Sequence, residues 1–230
     1  MVVTNMVGRS KLSVTEQSVI HKCEHLIIKV GKRYREVKIH NRPMQIFMDE
    51  HPMAVGKSAV QLGRTVGLTE RELLELAVAA PLHDVGKAHE DMAGLLRWFT
   101  GKPLTMKLRK IVTKTHTRLG PKMLDLIEEF EGFDGMPYNR RLAEEICLYH
   151  HPHIDPQRKK RSTQVKIVSI TDQFDARTSV GVQRSHKKSC MSYEVAAREM
   201  LLEAEQGWLD RDLTRIFFEE CLKLKVVNFS

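Results

Sequence analysis

Apolar positions along this chain recur at helical spacing, and the strict alternation that makes strands is nearly absent. Thr15 to Val30 predicts a first helix, while Lys32 to His40, with Tyr34, Val37 and Ile39, reads either as a short strand or as more of that helix. Met53 to Val66 predicts a second helix, with Pro52 in its first turn and Gly67 near its end. Thr69 and Glu72 have capping-box spacing. The helix they open carries Leu73, Leu74, Ala77 and Val78 towards His83-Asp84, and Gly86 marks its end. Thr105 to Thr117 predicts a basic amphipathic helix, and Pro121 opens another with Met123, Leu124 and Ile127 inside. Asn139 caps a helix with Leu142, Ile146 and Tyr149 on one face, which delivers His150-His151. A basic loop follows from Pro152 to Ser162, then a helix from Thr163 to Thr178, then a polar loop from Val180 to Met191. Ser192 and Asp210 cap the last two helices. The fold class expected is all-α, about eight helices in a bundle, without a linker that would divide it.

Composition agrees with this and narrows it. Apolar residues make up 42% of the 230 positions and charged residues 29%, which suits a globular chain with a real core. Aromatics are only 6%, fewer than all-β chains carry. The 37 Lys+Arg against 29 Asp+Glu leave a net charge of +8, which favours anionic partners. Cys23, Cys147, Cys190 and Cys221 form no CxxC pair and are expected as reduced thiols. No apolar run is long enough to span a bilayer, so a cytoplasmic protein without a membrane partner is expected. Stacking aromatics and nucleic-acid motifs are missing, so nucleic acid is not an expected partner.

Candidate chemistry lies in the histidines. Among the 11, His51, His83, His116, His150 and His151 stand in or at the ends of predicted helices, and Asp84 and Asp172 join them. None has the His-x-x-x-His spacing of a one-helix zinc site. Ligands drawn from several helices into a bundle core are the design of helical di-metal proteins. Imidazole and carboxylate suit iron, manganese, cobalt or zinc. Asp84, beside His83, is the natural bridge, because a carboxylate can hold two cations. His21, His25, His40, His89 and His186 are expected to be structural.

The ordered motifs resemble the HD-GYP branch of the HD phosphohydrolase superfamily. Leu76-Ala77-Val78-Ala79-Ala80-Pro81-Leu82-His83-Asp84-Val85-Gly86-Lys87 is similar to that family's signature. His51, His116-Thr117-Arg118-Leu119-Gly120, His150-His151 and Thr171-Asp172-Gln173-Phe174-Asp175-Ala176 follow in the family's order. The resemblance implies residues 43–230 as the catalytic domain, with 1–42 a helical or irregular extension. It implies one metal on His51, His83, Asp84 and Asp172 and a second on Asp84, His116, His150 and His151, with Lys87 on a substrate phosphate. Iron is the metal it implies first, and manganese the next. Phe47 stands where some members carry a glutamate for a third metal, so two divalent ions are expected. The Gly-Tyr-Pro motif is missing after the paired histidines, where Asp155-Pro156-Gln157-Arg158-Lys159-Lys160 runs instead. The later Arg-Pro-Tyr-Arg segment is altered to Arg184-Ser185-His186-Lys187-Lys188.

The activity implied is hydrolysis of a cyclic dinucleotide such as cyclic di-GMP by a metal-bridging hydroxide, with Asp84 and Lys87 as catalytic residues. Arg158, Lys159, Arg184 and Lys188 are expected to hold substrate phosphates in place of the missing motif. The competing readings are a single-metal nucleotide phosphohydrolase, a di-iron HD oxygenase, and a nucleotide-binding protein without turnover. Regulation is expected from a protein partner or from the first fifty residues.

Overall fold

The computed structural model describes residues 14–36, 42–89, 91–92, 105–130, 133, 135–179 and 190–224. Arg184, Lys187 and Lys188 lie outside these residues, as does most of the polar loop that carries them. Among the described residues there are eight α-helices and no strand. They are α1 (Val14–Glu36), α2 (Arg42–Thr65), α3 (Glu70–Ala79), α4 (Met106–Phe130), α5 (Arg140–Tyr149), α6 (Thr163–Thr178), α7 (Tyr193–Glu205) and α8 (Arg211–Ile216). None of them is long and apolar enough to cross a membrane.

Local sequence sets most helix starts. Thr69 and Glu72 form the full capping box of α3. Asn139, Ser162, Ser192 and Asp210 each accept a backbone N–H at the start of α5, α6, α7 and α8. Two prolines behave differently from the sequence expectation. Pro52 lies inside α2, which begins at Arg42, and Pro121 lies inside α4, which is one helix where two are expected. Each proline removes one backbone donor and crowds the preceding turn. Burial on both sides outweighs that cost: His51 and Val55 flank Pro52, while Leu119, Met123 and Leu124 flank Pro121.

Helix α1 packs on α2 and α3, and its Cys23, Ile27 and Val30 are fully buried in the same core as the rest. Helix α6 is the central element. It touches α2, α5, α7 and α8, and every residue from Ile167 to Phe174 is buried. Its hydroxyls are satisfied locally, Ser169 donating to the carbonyl of Val165 and Thr171 to that of Ile167. Asp172 has no such recourse, so the helix delivers a carboxylate into the core.

After α3 the chain tightens into a 3₁₀ turn at Ala80–Leu82, turns through His83-Asp84, and makes a second at Val85–Ala88. That second turn lies directly on α4. A Cβ on Gly86 would stand 2.0 Å from the carbonyl oxygen of His116 and 2.7 Å from the amide nitrogen of Gly120. On the other side of α4, a Cβ on Gly120 would stand 2.6 Å from Cβ of Cys147 on α5. Two glycines thus set how closely the His83-Asp84 turn, α4 and α5 approach.

Candidate metal centre

All seven ligand candidates meet in one buried cluster. Helix α2 brings His51, the turn after α3 brings His83 and Asp84, α4 brings His116, the end of α5 brings His150 and His151, and α6 brings Asp172. His51, His83, Asp84, His116, His150 and Asp172 are each 5% exposed or less, which removes water as a partner for their charges.

The cluster is organised around Asp84. Its Oδ2 faces Nε2 of His83 at 3.4 Å and Nε2 of His51 at 3.8 Å. Its Oδ1 faces Nε2 of His116 at 3.2 Å and Nε2 of His150 at 3.6 Å. The two oxygens of one carboxylate therefore look at different histidine pairs. Asp172 closes the first side, with Oδ1 at 3.1 Å from Nε2 of His51 and 3.6 Å from Nε2 of His83. His151 closes the second, its Nε2 at 3.2 Å from Nε2 of His116.

Backbone carbonyls fix which nitrogens face inwards. Nδ1 of His83 donates to Ala80 O at 2.9 Å, that of His116 to Val112 O at 2.9 Å, and that of His150 to Ile146 O at 2.8 Å. A carbonyl only accepts, so each Nδ1 carries hydrogen and each Nε2 turns to the centre. Burial holds His116 below the ordinary imidazole range, so its Nε2 presents a lone pair to the carboxylate. Asp84 Oδ1 is accordingly a buried oxygen without a hydrogen-bond donor. A lone pair set against a carboxylate oxygen in a dry core calls for a cation between them. The donor set fits a divalent metal, and Asp84, His116, His150 and His151 together, or His51, His83 and Asp84 together, could hold one.

The remaining charges balance the carboxylates. Burial pushes Asp84 up, but the Lys87 ammonium and His83 outweigh it and hold the group well below the usual carboxylate range. Lys87 reaches back one turn to pair directly with Asp84 Oδ2. Burial likewise opposes charge on Asp172, and hydrogen bonds from His51 and His83 overcome it.

One residue of the centre has no role assigned from sequence. Asp175 lies one turn beyond Asp172 on α6, and its Oδ2 accepts from Nδ1 of His51 at 2.6 Å. A carboxylate behind a ligating histidine fixes its tautomer and raises its basicity. The available signal is the Asp172-x-x-Asp175 spacing, which puts both carboxylates on one helix face.

The basic residues after the paired histidines go elsewhere. Arg158 donates through Nε to Gly207 O at 2.8 Å, and its guanidinium lies 4.3 Å from the centre of the Trp208 ring. Arg158 and Lys159 line a cavity that none of the seven ligand candidates lines.

The family model of the HD domain matches residues 48–177, the span that contains every donor of the cluster. The chain belongs to the HD-domain family. It is also 26% identical over 182 residues to a cyclic di-GMP phosphodiesterase of Thermotoga maritima, covering 76% of this chain and 42% of that protein. The chain therefore spans about two fifths of the length of that curated relative. Within this HD domain the His83-Asp84 pair lies between the two histidine sets, so the dipeptide is the hinge of the centre.

Proposed function

We propose that this HD domain is a metal-dependent phosphodiesterase of the HD-GYP branch, acting on a cyclic dinucleotide such as cyclic di-GMP. The observation that carries the reading is the divided carboxylate of Asp84, one oxygen to each histidine pair. That arrangement suits two divalent ions, most simply ferrous iron or manganese. His51, His83, Asp84 and Asp172 would hold one, and Asp84, His116, His150 and His151 the other. When bound, such ions neutralise phosphoryl charge and supply Lewis acidity.

The chain's own residues do the rest. The dry wall of the cluster keeps charge effects strong. Asp175 holds the hydrogen on Nδ1 of His51 and so keeps the opposite nitrogen aimed at the centre. Lys87, partly exposed beside Asp84, offers an ammonium to a phosphate entering from solvent. Hydrolysis adds one water across one P–O bond and leaves a phosphomonoester and a free hydroxyl. The catalytic unit is taken as 43–230, with α1 covering its back. The cyclic di-GMP phosphodiesterase of Thermotoga maritima supports the substrate class through its likeness to this chain.

The test is turnover. Protein purified without oxygen and loaded with ferrous iron or manganese is offered a panel of cyclic dinucleotides. The expected result is a linear dinucleotide or mononucleotides from the native protein and none from Asp84→Ala. A fully metallated protein that hydrolyses no member of the panel would sink the proposal, and oxygen consumption by it would point to an oxygenase.

A further inference from the structure

Beyond the metal centre, we infer that the cavity between the basic loop and the α7–α8 turn is a second ligand site, one that takes a nucleoside phosphate and does so without metal. The cavity has a volume of about 400 Å³, within the range of small-molecule sites. Arg158, Lys159, Arg161, Lys166 and Arg211 all line it, against two carboxylates, Glu205 and Asp210. Both carboxylates are already paired, Glu205 with Arg211 at 2.9 Å and Asp210 with Lys166 at 3.1 Å. The surplus is cationic and concave, which focuses potential on an entering anion.

Two of the cations are held in place before any ligand arrives. Gly207 adopts φ +75, a left-handed conformation that turns the chain out of α7. Its carbonyl accepts from Arg158, whose guanidinium lies over Trp208. Arg161 makes two hydrogen bonds to Asp155, at 2.7 and 3.1 Å, and its guanidinium sits 3.3 Å from the centre of the Tyr149 ring. Orientation fixed in advance lowers the entropic cost of binding. Lys159 runs alongside Gly207, where a Cβ would stand 3.5 Å from its Nζ. A planar guanidinium and a mobile ammonium at one rim suit a phosphate group. Val165, Ala204 and Leu209 make one part of the lining apolar, which suits the base of a nucleoside phosphate better than phosphate alone.

The site adjoins the metal centre without sharing a donor. Tyr149 and Pro152 both line the cavity, while His150 and His151 between them turn to the cluster. On α6, Lys166 and Ser169 face the cavity, and Asp172, one turn further, faces the histidine cluster.

The chain has two tryptophans, Trp98 and Trp208, so Trp98→Phe leaves the cavity's indole as the only one. GMP and pyrophosphate are titrated into this protein with and without EDTA, following Trp208 emission. Calorimetry on the native chain measures the same binding without relying on the variant. GMP is expected to bind, more tightly than pyrophosphate, and to bind equally with EDTA and in Asp84→Asn. Lys159→Glu and Arg211→Gln change exposed side chains, and each is expected to weaken binding about tenfold, the scale of one charge-assisted hydrogen bond. Two results would overturn the inference. One is no GMP binding by folded protein at millimolar concentration. The other is binding that vanishes with EDTA or in Asp84→Asn yet is unchanged in Lys159→Glu.

Discussion

The histidine–aspartate cluster and the basic cavity share two helices, yet they treat charge in opposite ways. Helix α5 gives Tyr149 to the cavity and His150 to the cluster. Helix α6 gives Lys166 to one and Asp172 to the other. In the cluster, carboxylates and imidazoles are buried, and any charge must be balanced by a partner within the set. In the cavity, the cations keep part of their surface in water, and the Arg211–Glu205 pair is the weak kind found at surfaces. The lesson is that polar residue type does not decide how much a substitution costs. Dryness does: the cluster should fail as a unit, while the cavity should weaken by degrees.

The largest effect expected is from Asp84→Ala. It removes the shared carboxylate from both histidine sets, and hydrolysis should fall by on the order of 10³-fold or more, with metal content falling alongside. Metal analysis next to turnover checks this. Retention of full metal and activity would break the contrast outright.

Next is Gly86→Ala. Its Cβ would meet the His116 carbonyl at 2.0 Å, which is backbone and cannot swing aside. We expect a loss of about 3 kcal/mol in urea unfolding, as for an overpacked core, together with weaker metal binding. An equal loss of GMP binding would show that the cavity also depends on this contact.

Asp175→Asn should lower metal affinity by roughly 10- to 100-fold while leaving the fold intact, because it loosens His51 without removing a donor. GMP binding in the cavity should be unaffected, which sharpens the separation of the two regions.

The most gradual effect is on pH, spread over several units. Burial opposes charge on His51, but Asp172 and Asp175 hold its pKa above the ordinary value. Burial opposes it on His83 as well, and Asp84 with Asp172 raises that group to about 10. In the metal-free protein a proton on His83 therefore stands in for cationic charge below about pH 10, and metal must displace it. Affinity should rise with pH below that value, by about tenfold per unit for each proton released. Calorimetry in buffers of different ionisation enthalpy counts the protons. A flat profile would mean that the donors are already neutral.

How much of this was legible in the sequence depends on how far each cause lies along the chain. The caps at Thr69, Asn139, Ser192 and Asp210 act within three residues and read directly. The seven ligand candidates stood out because few other roles demand those residue types at the ends of apolar helices, and the fold brings them together. Pro52 and Pro121 misled because packing from distant helices overrides a local break. Asp175 went without a role because the histidine it serves is 124 positions away. The direction of Arg158 depends on a carbonyl at Gly207, 49 positions away, which a loop's composition cannot disclose.

That separation of 124 positions between His51 and Asp175 also bears on how the chain matures. Contacts so far apart in sequence close late, after the shorter-range helix pairs have formed. The ring of donors is complete only when α2, α4, α5 and α6 are all docked, so no fragment of the bundle can offer the full set. Tight metal uptake during refolding should therefore lag behind the recovery of helix.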